Sequence, residues 1–261
     1  MLWTHPAFAG RREYTKRYRK FFERADKDQM SINTVIFDLD NTLINRKLAF
    51  EEFSNRLIDN YIEISVPSER AQIIQYIIEA DQDGYRSKKE LYQELLSNLK
   101  WKKETTLEEL LDYWFSEFFK CTVLMDGAVD VIHFLRSKGL KIGLITNGSV
   151  HSQNSKIDYA GIRDLFDAIV VSDEVKVKKP DRRIFEFALD RLVEKPETSI
   201  YIGDHPLNDI KGAREAGLRT IWLEGFREWD IFDVQPHYTV NELRELIKIF
   251  EGDSEMSRYF R

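Results

Sequence analysis

The sequence predicts an α/β fold: a three-layer, Rossmann-like parallel sheet with an α-helical cap inserted near its start. Three observations carry this. The run Thr34-Val35-Ile36-Phe37 is β-branched and aromatic and carries no charge, as a strand buried on both faces would be. Beyond residue 126, strand-like and helix-like segments alternate, a pattern that builds a parallel sheet through right-handed crossovers. Between these regions about a hundred residues show apolar positions at helical spacing, far more than one crossover needs.

Composition sets the outer bounds. With 261 residues, 43% hydrophobic and 32% charged, and only 12 Gly and 6 Pro, the chain is an ordinary globular protein able to bury a sizeable core. Its single cysteine, Cys121, excludes an intramolecular disulfide. No apolar segment approaches the length of a membrane span or secretion signal, so a cytoplasmic protein with no membrane partner is expected. The net charge of −6 opposes non-specific attraction to nucleic acid, and none is expected as a partner. Residues 1–30 differ from the rest: eight Lys and Arg face four Asp and Glu. A short basic helix docking on an acidic partner would read this way, but Met30 lies just before the first strand, and an alternative start there explains the break. Residues 1–30 are therefore expected to be an extension outside the folded domain. The core is assigned to 31–44 and 123–261, and the helical insert to 45–122.

The elements follow in order. Strand 34–37 ends at Asp38 and Asp40. In the insert the apolar sets are Phe50, Phe53, Leu57, Ile58 and Tyr61; then Ile73, Ile74, Ile77 and Ile78; then Leu91, Leu95, Leu96 and Leu99; then Leu107, Leu110, Leu111, Trp114, Phe115 and Phe118. These make four helices, with breaks at 66–68, 81–84 and 100–106. The aromatic stripe 113–119 is assigned to core rather than to a ligand pocket, and Lys88 and Lys89 to solvated surface. A helix over 129–137, stopped at Gly139, leads to strand 141–145. Helix 152–160, strand 168–171, helix 181–192, strand 199–202, helix 208–216, strand 220–223 and a last helix over 241–250 complete the pattern.

The strand ends collect Asp38, Asp40, Thr146, Asn147 and Asp204, and Lys179-Pro180 stands just before a helix. Singly, a carboxylate there caps a helix and Thr146-Asn147-Gly148 makes a turn. Together, at the carboxyl edge of one parallel sheet, they converge on one crevice. The set suits phosphoryl transfer. Asp38 and Asp204 would hold a hard cation such as Mg²⁺, while Lys179 and the Thr146 hydroxyl would meet phosphate oxygens. One of the first two aspartates would attack phosphorus and the other would handle protons.

Asp38-Leu39-Asp40-Asn41-Thr42, Thr146-Asn147, Lys179-Pro180 and Gly203-Asp204 through Asp209, in this order with a helical insert after the first, resemble the haloacid dehalogenase-like hydrolase superfamily. The resemblance spans about 34–250. It implies that Asp38 is the nucleophile that forms an aspartyl-phosphate, and that Asp40 is the acid/base. It likewise implies that Thr146 and the Asn147 amide bind phosphate and that Lys179 neutralises charge. Asp204 would bind Mg²⁺ beside the Asp38 carboxylate and the Asp40 carbonyl, with Asp209 supporting from the outer shell. The insert would be the family's cap, closing over the crevice. Asn41 and Lys176 stand where the family often has Gly; Asn tolerates left-handed angles, and Lys176 is read as solvated. His205 is read as a local hydrogen-bonding group.

The expected activity is a magnesium-dependent phosphatase acting on a small phosphorylated metabolite, a nucleotide or a sugar phosphate. Asp40 argues against the dehalogenase branch, which lacks the second aspartate. A phosphomutase would use the same residues and stands as the alternative. A non-catalytic binding protein fits poorly with retention of Asp38, Asp40, Lys179 and Asp204. These motifs specify neither the substrate nor the oligomeric state. A chain beginning at Met30 is expected to give the same far-ultraviolet circular dichroism and thermal midpoint as the full chain; loss of cooperative unfolding would show that residues 1–30 belong to the fold.

Overall fold

All four residues of β1 (Thr34–Phe37) are buried, because the strand has a neighbour on each side and a helical layer on each face. In the computed structural model, which describes residues 32–251, β1 pairs in parallel with β2 (Lys141–Thr146) and β4 (Ser199–Gly203), placing Ile36 opposite Gly143 and Tyr201. The extension assigned to 1–30 lies outside the described residues. β3 (Ala168–Val171), β5 (Arg219–Leu223) and β6 (Tyr238–Val240) complete a six-stranded sheet of order β3-β2-β1-β4-β5-β6, every pair parallel. The chain thus winds outward on both sides of β1, and the crevice at such a switch point opens beyond the strands' carboxyl ends.

Strand alternation divides the core between two faces. Val35, Phe37, Leu144 and Ile202 pack on one side with Val131, Ile132 and Leu135 of α5 (Ala128–Ser137). Ile36, Ile145, Val170 and Tyr201 pack on the other with Ile184, Phe185 and Leu189 of α8 (Arg182–Leu192).

The early insert forms α1 (Arg46–Tyr61), α2 (Glu69–Asp81), α3 (Lys88–Asn98) and α4 (Leu107–Glu117), packed around a cluster of their own. Of its aromatic stripe Trp114 and Phe118 are core, while Phe115 is exposed beside His151: Trp114 stacks on Phe118 at 3.9 Å, and Phe53 meets both edge-on at 5.1 and 5.6 Å. The chain enters and leaves this bundle through one antiparallel contact, Ile44 beside Leu124, where Asn45 N donates to Val123 O (2.8 Å) and Met125 N to Leu43 O (2.9 Å).

Four other expectations need correction. Lys88 is not solvated: its Nζ pairs with Asp81, a fully buried carboxylate at the end of α2 that requires a counter-charge. β6 was not expected, because three residues are too few to show a period. The last helix begins at Glu245 (α10, Glu245–Glu251), since the Asn241 and Glu242 amides donate to the Glu245 carboxylate and form its entry turn. The helix expected over 208–216 opens instead with a wide π turn, Pro206–Lys211, before a single α turn, α9 (Gly212–Glu215). There Asp209 turns its side chain back onto the His205 amide, and such bulges recur at functional sites. Among the described residues no helix is long and apolar enough to cross a membrane.

Phe53, 1% exposed, touches the aromatic residues of three turns. Phe53→Ala is expected to lower the free energy of urea unfolding by about 3–5 kcal/mol; a loss below about 1 kcal/mol would mean that the bundle collapses around the gap.

Candidate active site

The loop leaving β1 is folded back tightly. The amides of Leu43 and Ile44 both donate to Leu39 O at 2.9 Å, and Asn41 takes φ 62°, the left-handed angle that its side chain tolerates. The loop keeps Asp38 and Asp40 at the sheet edge while pointing them at different partners.

Asp38 meets Lys179. The Lys179 ammonium donates to Asp38 Oδ1 (2.5 Å), Asp209 Oδ1 (2.7 Å) and the Tyr201 hydroxyl (2.9 Å), with Ile145 O at 3.3 Å. Lys179 is 4% exposed, so these contacts replace its hydration. Asn147 fixes it from behind: Asn147 Nδ2 donates to Lys179 O (3.0 Å) and Lys179 N donates to Asn147 Oδ1 (2.9 Å). The side chain of Asn147 therefore positions the lysine, a role distinct from the amide contact expected for that residue.

Asp38, Asp204 and Asp209 are all buried, and each offers an oxygen within 4.8 Å of the others. Both Asp209 oxygens are committed, Oδ1 to Lys179 and Oδ2 to the His205 amide (2.9 Å). No hydrogen bond to the Asp204 carboxylate is found among the described residues. Gly203 is required here, because a Cβ at that position would fall on the Asp209 carboxyl group. Burial raises the Asp38 carboxyl, Lys179 draws it back and Asp209 raises it again, leaving it at about 7. Burial, then Asp209 and Asp38, push Asp204 well above the carboxylate range. Three buried carboxylates lie together and one ammonium pairs with two of them, and this surplus of hard oxygen donors fits a divalent cation such as Mg²⁺.

Asp40 belongs to a different set. Lys156 Nζ lies 2.7 and 2.6 Å from its two oxygens, and Gln153 Nε2 donates both to Asp40 Oδ2 (2.9 Å) and to the Thr146 hydroxyl (2.5 Å). Burial pushes Asp40 up, but Lys156 and then Arg46 outweigh it and hold the carboxyl below its usual value. The sequence reading passed over Gln153 and Lys156. They lie three apart on α6 (Val150–Tyr159), hence on one face, and are 3% and 5% exposed. The available signal was a Gln and a Lys on one face of the helix that follows Thr146.

The insert closes one side. Tyr85, between α2 and α3, accepts a hydrogen bond from Asn208 Nδ2 (3.0 Å) and stands 5.7 Å from the His205 ring. The Arg227 guanidinium lies 4.7 Å from the Tyr85 ring and 3.4 Å from Asp83. His205 Nδ1 accepts from the Asn208 amide at 3.4 Å. Lys176 takes φ 56° and pairs with Asp173 at 2.7 Å; with its side chain 78% exposed, it stays outside the crevice.

A parallel α/β sheet carries this acidic edge, a site able to hold a divalent cation, and the comparisons give its family. The profile of haloacid dehalogenase-like hydrolases matches residues 35–223, and the chain belongs to that family. It is 29% identical over 238 residues to a glyceraldehyde 3-phosphate phosphatase of Pyrococcus furiosus, covering 85% of this chain and 95% of the relative. Over 128 residues it is 39% identical to the pyrimidine 5'-nucleotidase YjjG of Escherichia coli, covering 48% of this chain and 56% of that one. The magnesium-bound crystal structure of the putative HAD-hydrolase YfnB of Bacillus subtilis superposes with a TM-score of 0.67 at 26% identity, covering 84% of this chain and 98% of that chain.

A carboxyl whose pKa is raised on folding favours the folded state below its unfolded value and loses that contribution as pH climbs through the folded value. For Asp38 the window runs from 3.8 to about 7, and Asp204 shifts in the same direction. A bound cation removes this penalty. Magnesium is therefore expected to raise the thermal midpoint more at about pH 7.5 than at about pH 5, an increment that Asp204→Asn should remove. A magnesium shift of equal size at both pH values would contradict the cluster's role.

Proposed function

We propose that this hydrolase of phosphoric monoesters is a magnesium-dependent, cytoplasmic phosphatase that takes phosphate from a small phosphorylated metabolite, a nucleotide or a sugar phosphate. The observation that carries the reading is the cluster of Asp38, Asp204 and Asp209, with Asp38 and Asp209 paired to Lys179, beside Asp40 and Thr146 at one sheet edge. The names of the relatives, a glyceraldehyde 3-phosphate phosphatase and a pyrimidine 5'-nucleotidase, support a substrate of that size.

Asp38 and Asp204, with the Asp40 carbonyl, would hold Mg²⁺, which when bound offsets the charge of an anionic ester facing an anionic nucleophile. Asp38 attacks phosphorus, and the bond from phosphorus to the leaving oxygen breaks as Asp40 gives that oxygen a proton; Asp40 is ionised on Lys156 in the free protein, so it takes up this proton as the anionic ester binds beside it. Asp40 then takes a proton from water, whose oxygen attacks the aspartyl-phosphate; phosphate departs and Asp38 is restored. Lys179, the Thr146 hydroxyl and the Asn147 amide face the charge on the transferring group. Lys156 and Gln153 position Asp40. The insert, 45–122, serves as the cap over a core formed by 31–44 and 123–261, and excludes water from the intermediate. This chemistry draws on none of residues 1–30.

The test is release of inorganic phosphate from a panel of phosphorylated metabolites, with magnesium and with chelator. Release should require magnesium, and Asp38→Asn should lower kcat by at least about 10³-fold while cooperative unfolding is kept. Retained turnover in that variant would exclude Asp38 as nucleophile, and a rearranged sugar phosphate in place of free phosphate would identify a mutase.

A further inference from the structure

A second charged cluster lies where the insert meets the sheet edge, and of its cations the chemistry above uses only Lys156, which holds Asp40. Arg46 opens α1 and is 8% exposed. Its Nη2 donates to Asp81 at 2.7 Å, and Lys88 pairs with the other oxygen of the same carboxylate. Arg46 and Lys156 flank one ring, with the guanidinium carbon 5.8 Å and the Lys156 Nζ 5.6 Å from the centre of Phe118. Lys88 Nζ stands 4.7 Å from the Trp114 ring. The three cations feel one another. Burial lowers Lys88 and Lys156, their carboxylate partners raise them, and Arg46 lowers both again. The turn after α2 is shaped around the guanidinium: Gly84 has φ 87°, and a Cβ there would lie 2.7 Å from Arg46 Cζ.

Counted together, the ion pairs of Arg46, Lys88 and Lys156 among the described residues are with Asp81 and Asp40. One counter-charge would satisfy buried Asp81, yet two are supplied, the buried Arg46 and the largely covered Lys88, and a surplus cation with little access to water is better held when something anionic joins it. Among the described residues Asp81 takes one of the five guanidinium N–H donors of Arg46 and one of the three of Lys88. The direction is also set. A leaving oxygen protonated by Asp40 lies on that residue's side of the phosphorus, so the rest of the alcohol extends past Asp40. Lys156, Arg46 and Lys88 stand on that side.

We propose that Arg46 and Lys88 form a subsite for a second anionic group on the substrate's alcohol, a carboxylate or a further phosphate. This rests on the phosphatase reading and narrows its substrate class to phosphomonoesters of small anionic alcohols. Arg46 supplies the planar fork, Lys88 the point charge, and Asp81 holds both in place.

The test uses para-nitrophenyl phosphate as reporter and compares inhibition by glycerol 3-phosphate, 3-phosphoglycerate and glycerol bisphosphate, which differ only at the far carbon. The anion-bearing compounds should inhibit with Ki values about ten- to a hundredfold lower than glycerol 3-phosphate, the worth of one hydrogen bond to a charged group. Whichever of the two binds tighter identifies carboxylate or phosphate. The preference should collapse toward parity in Arg46→Gln and in Lys88→Gln, survive in part in Arg46→Lys, and persist in Lys47→Gln, which changes an exposed neighbour. If Arg46→Gln does not fold, Lys88→Gln and the parent's own Ki ratio still decide. Equal Ki values in the parent would overturn the subsite and leave the phosphatase standing. No hydrolysis of the reporter or of any phosphate ester would overturn both.

Discussion

One buried ammonium governs the carboxyl edge of the sheet. Lys179 joins Asp38, which leaves β1, to Asp209, which follows β4, across sequence separations of 141 and 30 residues. Removing it would strand two buried carboxylates, and an uncompensated buried charge is worth about 3–5 kcal/mol against the fold. Much of the local architecture serves this contact. Asn147 clamps the lysine backbone, Gly203 clears room for Asp209, and the wide turn at Pro206–Lys211 aims Asp209 inward. The same contact would serve the proposed chemistry, because a lysine on the carboxylate proposed as nucleophile sits where transferred negative charge would be met.

Charge is sorted across the crevice. On one side Asp38, Asp204 and Asp209 outnumber their single lysine; on the other Arg46, Lys88 and Lys156 outnumber Asp81 and Asp40. Asp40 lies at the boundary, two residues from Asp38 but paired with Lys156. A cation would complete the first side, and in the proposed subsite an anion would complete the second. The insert is part of this electrostatic design, since it contributes Arg46, Asp81 and Lys88 and reaches the sheet's loops through Tyr85.

What was readable before folding followed from where each residue stands in its element. Asp38, Asp40, Thr146 and Asp204 come directly after uncharged strand runs, so the rule for parallel sheets places them at one edge without any contact being known. Gln153, Lys156, Arg46 and Lys88 sit on helices, where a polar residue ordinarily faces water and no period marks the exceptions. Their burial is set by partners remote in the chain: Lys156 meets Asp40 across 116 residues, and Arg46 meets Asp81 across 35. The π turn escaped for a related reason, since the Asp209 side chain it carries meets Lys179, a partner 30 residues away in the chain.

By itself the sequence determined the parallel α/β architecture, the four-helix insert and the set of residues at the strand ends, because hydrophobic period and turn chemistry are properties of neighbouring residues. Only the tertiary structure decided which carboxylate meets which cation. It placed Asp38 on Lys179 and Asp40 on Lys156, and it withdrew Lys88 from solvent onto Asp81. The physical reason is that a charged side chain is buried only where a partner from elsewhere in the chain replaces its water, and that pairing exists only once the fold has formed.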